Sequence, residues 1–253
     1  MNKKRKKELI TFVFSAILVV PLIMPVASAS SLRPYLVGEW RFDEGFGTTA
    51  YDTSGEGNTG SFGGDPQYNT NTSDCPMGYC LEFDGDDYIA GFSGFLEGLT
   101  ELSISAWVKP ISTTYIFQHG SSNSHHGYLN YFQVSSAGAL KADIEHAAAT
   151  GHFYPTTPNG EVEMNKWSHV GMIIDSDSVD FYVNGEQVDS DSFSGMYALA
   201  ASSSVYRNIG RYYYKSDTIS YSNGAIDDVR IYNYALTENQ IKKLYNKGLV
   251  RIS

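Results

Sequence analysis

Leu102-Ser103-Ile104-Ser105-Ala106-Trp107-Val108 alternates strictly, with Leu102, Ile104, Ala106 and Val108 on one side and Ser103, Ser105 and Trp107 on the other. A period of two belongs to an extended strand whose faces meet different surroundings. Val179-Asp180-Phe181-Tyr182-Val183 repeats the pattern, ends in Asn184-Gly185 and resumes at Gln187-Val188. Asn-Gly between two such runs is the signature of a type I′ hairpin. Further strands are expected at 36–42, 79–83, 115–118, 129–134, 139–145, 168–174, 206–209 and 225–232, between clusters of Gly, Asn, Asp and Ser. One helix fits: Thr237 as N-cap, then Glu238 to Asn246, with Ile241, Leu244 and Tyr245 on one side and Gly248 after its end. Many short strands with one short C-terminal helix predict an all-β chain, a two-sheet antiparallel β-sandwich.

The chain of 253 residues opens on Lys3, Lys4, Arg5, Lys6 and Lys7, an apolar run from Leu9 to Val26, and Ala27-Ser28-Ala29. A basic start, an apolar middle and an A-x-A exit read as a secretory signal peptide over residues 1–29. The alternative is an uncleaved anchor, because 18 apolar residues just span a bilayer. Residues 30–253 then form one domain, secreted or displayed at the cell surface, without internal repeat or linker.

After residue 29 the chain carries 13 Lys+Arg against 27 Asp+Glu, a net charge of −14. That excludes a nucleic-acid binder, which needs clustered cations against phosphates, and argues against an anionic membrane surface for the same reason. Cys75 and Cys80 are the only cysteines. Two close cysteines in an exported chain predict a disulfide, worth about 2 kcal/mol through so short a loop. Asn71-Thr72-Ser73 is a glycosylation sequon.

Eight segments carry short motifs: Gly38-Glu-Trp-Arg-Phe-Asp-Glu-Gly45, Ala50-Tyr-Asp-Thr-Ser-Gly55, Gly57-Asn-Thr-Gly60 and Leu81-Glu-Phe-Asp-Gly-Asp-Asp-Tyr-Ile89, then Ser103-Ile-Ser-Ala-Trp-Val-Lys-Pro110, Trp167-Ser-His-Val170, Phe181-Tyr-Val-Asn-Gly185 and the closing Gly224-Ala-Ile-Asp-Asp-Val-Arg-Ile-Tyr232. Together, and in this order, they resemble the laminin-G-like branch of the concanavalin A-like lectin/glucanase superfamily. The resemblance spans roughly residues 36–247 and implies a concanavalin A-like jelly roll. It says less about a ligand, because one fold hosts many functions.

The resemblance also implies a structural calcium ion. Its ligands would be Asp52, Asn58 and Asp227, with carbonyls of the intervening turn and Glu44 as a further contributor. Hard cations take several such oxygens from Gly-rich turns. The alternative is that Asp52 and Asn58 close turns through their own side chains and that Asp227 and Asp228 pair with Arg230.

Catalysis by retaining glucanases of this superfamily needs an E-x-D-x-x-E strand with two carboxylates about 5 Å apart. Asp143-Ile144-Glu145 echoes it, with Lys141 where the first Glu would stand. Lyase-type strands of the fold carry Gln-Ile-His, whereas Phe132-Gln133-Val134-Ser135 keeps the Gln and not the His. His119, His125, His126, His146 and His152 read as loop histidines without a metal. Trp107 and Trp167 read as core. Tyr154 and Tyr212-Tyr213-Tyr214 read as loop tyrosines that offer a sugar platform or a protein-binding patch.

The expectation is therefore recognition without chemistry, a lectin-like module for a glycan or a surface glycoprotein. A glycoside hydrolase or polysaccharide lyase acting through Asp143 and Glu145 is the enzymatic alternative, and a purely structural envelope protein is the third.

Overall fold

A computed structural model describes residues 32–92, 94–121, 129–145, 152–193, 199, 205–214 and 218–252. A short 3-10 turn, Arg33–Tyr35, leads into β1 (Leu36–Trp40), β2 (Thr49–Ala50), β3 (Gly60–Gly63), β4 (Gln67–Asn69), β5 (Cys80–Asp84) and β6 (Tyr88–Ala90). Then come β7 (Leu102–Pro110), β8 (Thr114–Ser121), β9 (Leu129–Val134), β10 (Leu140–Glu145), β11 (His152–Phe153) and β12 (Ser168–Ile174). The chain continues through β13 (Ser178–Val183), β14 (Glu186–Ser192), β15 (Val205–Asn208), β16 (Arg211–Tyr214), β17 (Thr218–Tyr221) and β18 (Asn223–Tyr232) to α1 (Glu238–Ile252).

One sheet runs β14-β13-β12-β7-β18-β5-β4, and β1 also pairs with β18. The other runs β11-β10-β9-β8-β15, beside a hairpin β16-β17 and a small sheet β2-β3-β6. All strand pairings are antiparallel. The alternation read in 102–108 positions the core. Ile104, Ala106 and Val108 face inward with Val170, Met172, Phe181 and Ile226, and meet Phe117, Phe132, Leu140 and Ile144 of the second sheet. Phe132 and Phe181 stack across the interface, centroids 6.1 Å apart. Asn184 and Gly185 both take positive φ, 52° and 83°, as a type I′ turn demands.

The other side of the larger sheet is also covered. Helix α1 lays Ile241 and Leu244 onto Ile173, Tyr182 and Tyr232, together with Leu32 and Leu36 of the N-terminal arm. Thr237 caps the helix: its N–H and hydroxyl both donate to Gln240 Oε1, at 2.7 and 3.0 Å. The helix does not stop before Gly248. That glycine lies inside it and against Trp107, where a Cβ would stand 2.3 Å from Trp107 Cζ2. Its role is close approach rather than termination.

Trp107 is accordingly buried, but under α1 and not in the inter-sheet core, with Tyr245 and His169 beside it. Trp167 is only half-buried just before β12, and its Nε1 donates to the Asp74 carbonyl at 2.6 Å.

Candidate functional site

The Asp52–Asn58 turn is closed by its own side chains. Asp52 Oδ1 accepts the N–H groups of Glu39 (3.0 Å) and Ser54 (2.8 Å), and Oδ2 accepts the Asn58 N–H and the Ser54 hydroxyl, both at 2.8 Å. Asn58 Nδ2 donates to the Val37 carbonyl (2.7 Å), and its own carbonyl accepts from Trp40 Nε1 (2.9 Å). Asp52 and Asn58 are thus brought together as a clasp that ties the turn to β1. Glu44 is engaged similarly, accepting from the Tyr51 N–H at 2.8 Å and from the Tyr68 hydroxyl at 3.2 Å.

Asp227 bonds to a different segment. It lies at the bulge of β18, where Asp228 adopts φ 50° and the partner strand changes from β5 to β1. Its Oδ2 accepts the Met77 N–H at 2.9 Å, in the loop bridged by the Cys75–Cys80 disulfide. Its Oδ1 is buried without a hydrogen-bond partner. Burial first, then the charges of Asp228 and Asp43, push its carboxyl well above the ordinary range. Tested as calcium ligands, the residues divide. Asp227 offers an orphaned buried oxygen that suits a hard cation, whereas both oxygens of Asp52 are already spent on the turn.

A second constellation covers the outer face of the sheet containing β8, β9 and β10. Asp143 and Tyr131 sit opposite each other in the β9–β10 register. Tyr212 meets Tyr131 edge-on at 5.5 Å, stacks on Tyr115 at 6.0 Å and lies parallel to Tyr214 at 6.5 Å. At the other edge His152 stacks on Tyr154, with ring planes 8° apart. Asp143 is 5% exposed; its Oδ1 stands 2.8 Å from His152 Nδ1 and its Oδ2 accepts from Asn130 Nδ2 at 3.2 Å.

The electrostatics follow from burial. Desolvation pushes the Asp143 carboxyl up, and His152 and Asn130 oppose it. Desolvation, then the neighbouring Asp143 charge, moves Tyr131 up to about 12 and raises Tyr212 and Tyr154 as well. These phenols stay neutral. The face therefore combines flat rings, which can stack on the C–H face of a sugar, with an exposed imidazole that can bond its hydroxyls and that a buried carboxylate holds in place.

The sequence reading of these residues needs four corrections. Tyr212 to Tyr214 belong to strand β16 and not to a loop, so alternation splits them. Tyr212 and Tyr214 join the ring cluster, whereas Tyr213 turns to Tyr206 and Arg211. His119 is wholly buried on β8. His152 is a strand residue paired with Asp143. Tyr115, Tyr131 and Asn130 were missed altogether, although the β9 alternation already placed Tyr131 away from the core. Tyr154 is exposed just after β11, as expected, and His125, His126 and His146 lie outside the described residues.

A family model described as the concanavalin A-like lectin/glucanases superfamily matches residues 83–242. No curated protein matches the chain. Among solved structures, domain 4 of AbnA, a GH43 extracellular arabinanase from Geobacillus stearothermophilus in complex with arabinotriose, is similar. It shares 20% identity, covering 83% of this chain and 98% of that one, with a TM-score of 0.62. A structure concerning cell entry of botulinum neurotoxin type C, dependent on two ganglioside molecules, shares 17% identity over 87% of this chain and 53% of that one, TM-score 0.64. The binding domain of botulinum neurotoxin DC with rat synaptotagmin II shares 16% over 86% and 52%, TM-score 0.64. The chain spans about half the length of those two toxin structures. At these identities the likeness establishes the fold.

Proposed function

Because the chain belongs to the concanavalin A-like lectin/glucanase superfamily, over residues 83–242, we propose that it is a secreted or surface-displayed recognition module that binds a glycan or glycoprotein. The observation that carries this reading is the cluster of Tyr115, Tyr131, Tyr154, Tyr212 and Tyr214 around the buried Asp143 and the exposed His152 that pairs with it. Aromatic rings beside a few fixed polar groups are what a sugar site needs. The arabinotriose in the arabinanase-domain structure and the gangliosides named for the toxin support a glycan as ligand. A glycan array with the wild-type chain and with Tyr131→Ala and Tyr212→Ala tests it. Retention of a bound glycan by both folded variants would overturn it.

We also propose a structural calcium ion seated on Asp227, where the orphaned Oδ1 and the adjacent Asp43 charge favour a cation. Asp52 and Asn58 serve it indirectly, by shaping the N-terminal turn. One observation favours a hydrolytic second reading: Asp143 and Glu145 share a strand face, and Asp143 holds a histidine. Loss of a measured glycosidase activity in Glu145→Gln, with the fold retained, would select that reading.

A further inference from the structure

On the opposite side of the molecule from the tyrosine face, α1 and the N-terminal arm enclose a cavity of about 310 Å³ against the larger sheet. Its charged lining is one-sided: Arg33, Arg41, Arg230, Lys243 and Lys247 against the single carboxylate of Glu39. This concentration of cations occurs in a chain whose formal net charge is −10. Glu39 is already consumed. It accepts from Arg41 Nη2 at 3.1 and 3.2 Å, from Arg230 Nε at 3.0 Å and from the Thr53 hydroxyl at 2.8 Å.

Arg230 is 2% exposed, and although Nε reaches Glu39 and Nη2 lies 2.8 Å from Asp228, its Nη1 has no hydrogen-bond partner. The buried Arg41 Nε is equally unpartnered. Buried guanidinium N–H groups without acceptors are costly and rarely left so. Lys243 and Lys247, one helical turn apart on α1, form no ion pair among the described residues. Repulsion from Arg230, and then burial, push the Lys247 ammonium down, against the opposing pull of Asp228 and Glu39.

We propose that this cavity binds a phosphate or sulfate group, with Arg230 and Arg41 supplying the buried donors and Lys243 and Lys247 closing over the outer oxygens. A tetrahedral oxyanion offers several acceptors to planar guanidinium forks and to mobile ammonium groups together. The cavity volume accommodates such a group with part of whatever bears it. The site is independent of the tyrosine face and of the calcium position.

Thermal unfolding of the full chain in inorganic phosphate or sulfate, against chloride at matched ionic strength, reads this out. The expected result is a saturable rise in midpoint with the oxyanions and none with chloride. The double variant Lys243→Ala/Lys247→Ala, at positions exposed to solvent, should keep the wild-type midpoint in chloride and bind the oxyanion about tenfold more weakly or worse. A sulfated disaccharide and its unsulfated counterpart titrated in parallel separate the sources: binding stronger than that of inorganic sulfate and of the unsulfated sugar, and lost in the double variant, identifies a sulfate ester, and its absence a free ion. No oxyanion-specific rise, or an undiminished rise in the double variant, would overturn the proposal.

Discussion

Asp143 and His152 stand 2.8 Å apart, carboxylate oxygen to imidazole Nδ1, on neighbouring strands β10 and β11. The carboxylate is buried and the imidazole one-third exposed, so the histidine both partners the charge and shields it from solvent. His152→Ala should therefore destabilise the fold by about 1–2 kcal/mol, the cost of leaving a buried acceptor short of a partner. Asp143→Asn in the same background should recover part of that loss. Urea unfolding of the two single variants and the double variant measures the coupling, and simple additivity would mean that the pair is incidental.

Alternation along β16 separates the three consecutive tyrosines. Tyr212→Ala and Tyr214→Ala should weaken glycan binding by about tenfold each, whereas Tyr213→Ala should leave it unaltered. Titration of the three variants against one glycan from the array decides it. Equal losses at all three positions would show that the platform is not the face described.

Gly248 touches Trp107 from within α1. Gly248→Ala should therefore destabilise by about 1–3 kcal/mol, although alanine is the better helix former, because the methyl group has nowhere to go. A variant as stable as the wild type in guanidinium unfolding would mean that helix and strand separate without cost.

Asp227 is held above its ordinary value near 3.8, so the native state keeps a proton that the unfolded chain has released. Stability without calcium should then fall as the pH rises above that value and through the raised folded-state pKa. In EDTA, Asp227→Asn should flatten that slope and melt higher than the wild type at neutral pH. Calcium should stabilise the wild type, by about 2.7 kcal/mol at a hundred times its dissociation constant, and leave Asp227→Asn unmoved. Asp52→Ala should melt lower with or without calcium, because it opens the turn, yet keep its calcium response. Loss of that response in a folded Asp52→Ala would restore Asp52 as a direct ligand.

The long strands were legible because each carries a core face of four or so alternating apolar residues, as in 102–108 and 179–183. Strands β2, β3, β4 and β6 are two to four residues long, too short for a period to emerge from Gly-rich surroundings. The end of α1 was misjudged because glycine after an apolar turn usually terminates a helix, and nothing local announces that Trp107, 141 positions earlier, requires it. The tyrosine face was half legible for a related reason. Tyr115, Tyr131 and Tyr212 come from three strands that only the folded sheet brings together, and a run of three tyrosines looks the same in a loop and in a strand.

Strand β18 lies between β7 on one side and β5 and β1 on the other, although almost the whole chain precedes it. The larger sheet is thus keyed by its last strand. During synthesis β1 and β5 emerge without their pairing edge and must wait through more than a hundred residues for β18. Such long-range closure is slow to form, and until it happens the exposed strand edges invite wrong partners. A chain cut short before Asn223 would therefore forfeit the centre of the sheet rather than its margin, and the early strands would have no native state to wait in.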